Sequence, residues 1–260
     1  MPNYRHGGRG FCWGLFRRFA KNIIQKVLCI CGTRYNYFLI KGNLSPANRV
    51  SHHDFMHGVW SVSMDFVRNA TLSLLSKEID EQEVIGAVAE VGVYQGDFAA
   101  LINRCFPDRV LYLFDTFEGF SDDDATFDIA GGLSEHHHDF SRTNIELVLS
   151  KMYNTDNIRI KKGWFPETAL GCENEVFCFV SLDTDLYKPI YEGLVWFYPR
   201  LAEGGYIMVH DYNSDTYRGV KKAVRQFAQE QCVSYTVLPD TGGSIVVGKP
   251  RRHCTDTPGI

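Results

Sequence analysis

Residues 84–120, VIGAVAEVGVYQGDFAALINRCFPDRVLYLFDTFEGF, constrain the fold more than any other stretch of this chain. An apolar run leads into a glycine-bearing turn, then a segment of helical character, then a second apolar run that ends at Asp115. That order is a βαβ unit, the opening of a nucleotide-type binding sheet. The first strand delivers Glu90 and Gly92 to its carboxyl end. Gly92 and Gly96 permit a tight turn and a close approach of a ligand to the backbone. The helix starting near Asp97 opens there with free N–H groups. Roughly twenty residues further on, Asp115 sits at the tip of the second strand, where an acid can accept hydrogen bonds from both ribose hydroxyls.

The turn departs from the dinucleotide fingerprint. In place of G-x-G-x-x-G it reads Gly92, Val93, Tyr94, Gln95, Gly96. Tyr94 and Gln95 crowd the place a pyrophosphate would take, and Glu90 would repel a diphosphate and attract an ammonium. This combination favours S-adenosylmethionine, which carries an amino group and no phosphate, over NAD.

Further along, apolar strands are expected at about 85–93, 110–115, 157–161, 176–183, 205–210, 235–238 and 244–248, with helices at about 97–105, 143–152, 187–202 and 217–230. An earlier amphipathic helix is expected over 56–77. Alternation of this kind argues for a doubly wound α/β sheet of seven mostly parallel strands. The short VLPDTGGS connection at 237–244 reads as a hairpin, making the last two strands antiparallel. Residues 121–141, SDDDATFDIAGGLSEHHHDFS, read as a long irregular loop of the kind that forms lids or substrate loops. Its three histidines, His136 to His138, cannot all converge on one ion from regular structure, and a solvated loop explains them as well.

Charge divides the chain. Residues 1–53 hold nine Lys/Arg and no acid, whereas 54–260 hold eighteen Lys/Arg against thirty-one Asp/Glu. Residues 11–30, FCWGLFRRFAKNIIQKVLCI, suggest a basic amphipathic helix. Such an arm suits an anionic membrane surface, or packing on the domain or a second copy; packing is the favoured reading, with a homo-oligomer expected. The expected organisation is a basic N-terminal extension at 1–54, a catalytic domain at 55–250 and a tail at 251–260. No run of about 20 uncharged apolar residues is present to cross a bilayer. The eight cysteines form no CxxC pair, so a reducing, cytoplasmic setting is expected, and nothing suggests a nucleic-acid partner.

A second constellation lies at the ends of the fourth and fifth strands: Asp183 and Asp185 in SLDTDLY, and His210 and Asp211 in VHDYN. In a doubly wound sheet both strand ends open on one crevice. Carboxylates there suit Mg²⁺, and the imidazole makes Mn²⁺ or Fe²⁺ conceivable. One or two of these acids would instead cap the helices that follow.

Taken as a set, AEVGVYQGDFA (89–99), LYLFDTFEGF (111–120), KKGWFPETA (161–169), SLDTDLYKPIYEGLVWFYPRLAEGGYIMVHDYN (181–213) and GVKKAVRQF (219–227) resemble the macrocin O-methyltransferase family, the TylF-like sugar O-methyltransferases. The resemblance covers most of residues 55–250. It implies a class I S-adenosylmethionine-dependent methyltransferase fold and a Mg²⁺-assisted transfer of methyl to a hydroxyl of a sugar or glycosylated metabolite. It also implies a cofactor site at Glu90, Gly92, Val93, Tyr94, Gly96, Asp115, Thr116, Trp164 and Asp183. Asp183 matches the family's base, and Asp183, His210 and Asp211 match its metal positions. His210 stands where the family has the first of two adjacent aspartates, so one negative charge is missing at the metal. Two other readings compete: a NAD-binding oxidoreductase using Tyr217 and Lys221 in a Tyr-x-x-x-Lys arrangement, and a non-catalytic S-adenosylmethionine-binding protein.

Overall fold

The computed structural model describes residues 65–120, 122–134 and 140–251. The basic arm, the start of the 56–77 helix, the histidine triplet and most of the C-terminal tail lie outside the described residues.

The first described helix, α1 (Phe66–Glu81), buries Arg68, Leu72, Ser76 and Ile79 along one face. This helical spacing places a cation inside the molecule. The β1 (Ala87–Val91), α2 (Asp97–Cys105), β2 (Leu111–Asp115) unit follows as expected. Next come α3 (Asp122–Ala130), α4 (Ile145–Ser150), β3 (Ile158–Lys162), a short 3₁₀ turn at Glu167–Ala169 and β4 (Phe177–Leu182). The chain closes with α5 (Tyr187–Arg200), β5 (Leu201–Val209), α6 (Arg218–Gln231), β6 (Thr236–Val237) and β7 (Ile245–Gly248).

The seven strands form one sheet in the order β3-β2-β1-β4-β5-β7-β6. All neighbouring pairs from β3 through β5 are parallel, while β7 runs antiparallel to both β5 and β6. Every residue of β1 and β4 is buried, and both strands are apolar except for Glu90 and Ser181 next to their carboxyl ends. Edge strand β3 is only partly covered. The chain leaves β1 for β2 on one side and returns to β4 on the other. The sheet therefore has its topological switch point between β1 and β4, where a crevice opens beyond the strand ends.

Two expectations need correction. The segment 121–141 is not wholly irregular, because α3 occupies Asp122–Ala130. Its buried positions are Ala125 and Asp128, so no apolar periodicity announced it. Asp128 has a structural reason to be inside: its Oδ2 accepts the Tyr187 N–H at 3.0 Å and caps the start of α5. The second correction concerns residues 187–202. The helix there stops at Arg200, and β5 begins at once with Leu201 rather than at 205. Pro199 lies in the last turn of α5 and Leu201 is already extended, with φ −70° and ψ 133°.

Candidate active site

A cleft of about 350 Å³ lies over the switch point. Its walls include Glu90, Gly92, Val93, Tyr94, Asp115, Thr116, Trp164, Asp183, His210 and Asp211, so nearly every residue expected at the site borders one cavity. Gly96 does not line it but shapes the turn: its φ of +80° places the residue before α2 in the left-handed region, against Val148.

Gly92 is required for a reason the sequence did not reveal. Its φ is +84°, and a Cβ there would lie 2.1 Å from the Asp183 carbonyl oxygen. The neighbour that needs the space is the β4 backbone, drawn in by the Asp183 N–H donating to the Val91 carbonyl at 2.8 Å. The close approach was expected from a ligand. The protein's own chain makes it.

Asp115 is more than a ribose acceptor in waiting. Its Oδ2 accepts the N–H groups of Val93 at 2.6 Å and Tyr94 at 2.9 Å, and its Oδ1 accepts Phe117 N–H at 2.6 Å. The carboxylate pins the turn after β1 to the loop after β2, and it holds Tyr94 in a left-handed conformation, φ +48°. One lone pair on Oδ1 remains for a ligand. Thr116 turns inward instead: its Oγ1 donates to the Gly119 carbonyl at 2.8 Å and accepts Glu118 N–H at 3.1 Å. Trp164 is 44% exposed on the cleft wall, available to flank a flat ring.

Glu90 is 1% exposed, and its Oε2 is buried with no hydrogen-bond partner. Burial pushes its carboxyl well above the usual range, against the pull of nearby Arg68. An orphaned buried carboxyl at the floor of a cleft fits a ligand that brings its own cation. The methionine ammonium of S-adenosylmethionine is such a group, so the residues present fit this cofactor.

Also lining the cleft, Asp183, His210 and Asp211 converge, with candidate ligand atoms within 4.8 Å of one another. His210 Nδ1 lies 2.9 Å from Asp211 Oδ2 and 3.2 Å from Asp183 Oδ1. Asp183 Oδ2 is 2.9 Å from Nη2 of Arg68, a residue that sequence reasoning missed because a basic residue on a helix normally marks the solvated face. Asp211 has φ +56°, and its Oδ1 sits so close to Gly242 that a Cβ there would be 2.3 Å away. The glycine hairpin between β6 and β7 thus buttresses the site. Asp185, also bordering the cleft, is raised well above the ordinary carboxylate range by burial, by Asp183 and by its hydrogen bond to Asp211.

Electrostatics in this cluster are balanced internally. Burial would raise Asp183, but Arg68 and His210 outweigh it and hold the carboxyl far below the usual range. His210 shows the reverse: burial would lower it, yet Asp183 and the hydrogen bonds lift it to about 10. Both oxygens of Asp183 are engaged, and Nδ1 of His210 faces two carboxylates and so carries a proton. Asp183, His210 and Asp211 bring ligand atoms close enough together to hold a metal ion, but Arg68 and His210 already pair with the two Asp183 oxygens, and no step below passes through an ion.

His210 therefore predicts a pH dependence of stability. Its folded value is about 10 against 6.5, so the imidazolium contributes stability that is complete below pH 6.5 and lost as pH rises to 10. Thermal melts should fall more steeply from pH 7 to 10 for the natural chain than for His210→Gln. Parallel curves would mean that the ring is neutral in the fold.

Tyr217 and Lys221 do not join the cleft. Tyr217 is buried before α6, and Lys221 Nζ stands 5.0 Å from the ring centroid of Tyr212. The oxidoreductase reading loses its proton donor pair. Cys105, Cys172, Cys178 and Cys232 are free thiols, and none borders the cleft. Among the described residues, no helix is long and apolar enough to cross a membrane.

Known proteins resemble the chain at both levels. The mycinamicin III 3''-O-methyltransferase of Micromonospora griseorubida is 28% identical over 142 residues, covering 50% of this chain and 56% of that protein. The demethyldecarbamoylnovobiocin O-methyltransferase of Streptomyces niveus is 26% identical over 196 residues, covering 64% and 73%. The chain thus spans little more than half the length of the first of these curated relatives. In three dimensions the O-methyltransferase NovP superimposes with a TM-score of 0.59 at 19% identity, covering 72% of this chain and 81% of that one. The calicheamicin methyltransferase CalS11 gives 0.57 at 18%, covering 78% and 87%. These likenesses identify the fold as that of class I S-adenosylmethionine-dependent methyltransferases. The family model for macrocin O-methyltransferase (TylF) matches residues 45–238, the span that contains the switch-point cleft, Glu90, Asp115 and the Asp183–His210–Asp211 cluster, and the chain belongs to that family.

Proposed function

We propose that this chain is an S-adenosylmethionine-dependent O-methyltransferase acting on a hydroxyl of a sugar or glycosylated metabolite. The observation that carries the reading is Glu90: a buried carboxyl with an orphan oxygen, bordering the cleft beside the Gly92–Gly96 turn. The names of the curated relatives, methyltransferases of mycinamicin III and of demethyldecarbamoylnovobiocin, support the acceptor class. When bound, S-adenosylmethionine supplies a methyl group already activated by its sulfonium.

The chain's residues then have defined tasks. Glu90 receives the ammonium, Asp115 the ribose, and Trp164 flanks the adenine. Asp183 takes the proton of the acceptor hydroxyl. Its depressed pKa does not disqualify it. As the new O–C bond forms, the hydroxyl becomes strongly acidic, so the acceptor of the proton needs to be ionised and within reach more than it needs to be basic. Asp183 is held ionised by its neighbours and borders the cleft. The remaining contribution is alignment of oxygen, methyl and sulfur in line.

Calorimetry tests the cofactor. S-adenosylhomocysteine should bind and NAD should not. Glu90→Gln should weaken S-adenosylhomocysteine by roughly thirtyfold, about 2 kcal/mol, as expected for losing a charged hydrogen-bond partner. Burial raises the Glu90 carboxyl above its usual range, so the proton exchange that accompanies binding, read from the dependence of the heat on buffer, should differ between the natural chain and the variant. Tight NAD binding, or an unaltered Glu90→Gln isotherm, would overturn the assignment.

A further inference from the structure

We infer that Arg68 is the resident cation of this site, occupying the charge-balancing place that a divalent ion would otherwise fill at Asp183. Arg68 is 5% exposed, and its guanidinium is fixed from several sides. Its Nη2 contacts Asp183 Oδ2 at 2.9 Å and Ser181 Oγ at 3.4 Å. Its Nη1 stands 3.8 Å from Asp65 Oδ2. Its Cζ lies 3.8 Å above the centroid of the Phe98 ring, which comes from α2.

An arginine held this way is a permanent positive charge that does not titrate and cannot swing aside without leaving a buried charge unpaired. An ion approaching Asp183 would meet this charge at one oxygen and the His210 ring at the other. Mg²⁺ needs several oxygen ligands in near-octahedral array, and replacement of a carboxylate by His210 has already removed one. Arg68 therefore does for Asp183 what a metal does for a carboxylate ligand: it neutralises the charge and fixes the orientation. It reaches the reaction only through Asp183, so it is a positioning residue.

The experiment is a Mn²⁺ titration of the full chain by electron paramagnetic resonance, with the natural protein, Arg68→Lys and Arg68→Met. No saturable binding is expected in the natural protein below the millimolar range. Arg68→Lys, which keeps the charge, should behave alike. Arg68→Met should bind Mn²⁺ at least roughly tenfold more tightly, because a repelling neighbour is gone. Methyl transfer by the natural protein should be unchanged in chelator. Saturable Mn²⁺ binding in the natural protein that Asp183→Asn abolishes would overturn the inference, as would activity lost in chelator and restored by added metal. If Arg68→Met fails to fold, the natural-protein titration decides alone. The inference rests on the methyl-transfer reading only for its activity arm. Failure to bind S-adenosylhomocysteine sinks that reading, while the Mn²⁺ result still judges Arg68.

Discussion

Gly92→Ala is expected to cost on the order of 4 kcal/mol or more, enough to leave little folded protein. Two effects combine. A left-handed φ of +84° penalises any Cβ, and this Cβ would lie 2.1 Å from the Asp183 carbonyl oxygen and 2.6 Å from its carbon. The clash is with backbone, so no rotamer relieves it. The strand ends must part, which breaks the bond from Asp183 N–H to the Val91 carbonyl at the centre of the sheet. Gly132→Ala is the control. It also has a left-handed φ, +65°, but nothing stands within 4 Å of its added Cβ. That variant should cost only about 1 kcal/mol. Chemical unfolding of both, with S-adenosylhomocysteine binding as a second readout, separates strain from collision. A Gly92→Ala protein within about 1 kcal/mol of the natural chain and binding normally would mean that the turn relaxes freely.

That glycine shows what a sequence can and cannot convey. The turn, the strand before it and the acid at the next strand tip were legible because each leaves a local signature: an apolar run, glycines, and a fixed spacing to Asp115. The seven-strand sheet was legible for the same reason, since β1 and β4 are buried on both faces and carry no polar residue before Glu90 and Ser181. The partner that makes Gly92 obligatory was not legible, because Asp183 is ninety-one positions away and its carbonyl carries no side-chain signal. Helix α3 was hidden by Asp128, an acid in a core position whose worth lies in capping α5. Arg68 was hidden by the opposite prejudice. On an amphipathic helix a cation is assigned to solvent, and only its pairing with Asp183 explains why it is inside. The convergence of Asp183, His210 and Asp211 followed from topology. Their state of charge depends on Arg68, whose pairing with Asp183 leaves no local mark in the sequence.

Asp115→Ala should impair both stability and cofactor binding, and the two losses can be told apart. The carboxylate accepts three backbone N–H groups, two from the turn after β1 and one from the loop after β2. Charge-assisted bonds of this kind contribute roughly 1.5–3 kcal/mol each, but they share one anchor and are not additive. A stability loss of about 3 kcal/mol is expected, together with a fall of about a hundredfold or more in affinity for S-adenosylhomocysteine. Asp115→Asn should be intermediate, since its carbonyl oxygen still accepts while its amide confronts a backbone N–H. The direct ribose contact is resolved by ligand analogues. If the remaining lone pair of Oδ1 holds the ribose, removing the 2′ or 3′ hydroxyl of S-adenosylhomocysteine weakens binding to the natural protein and changes little in Asp115→Ala. Should the deoxy analogues lose the same affinity against both proteins, Asp115 acts only as the tie between two loops, and the ribose is held elsewhere in the cleft.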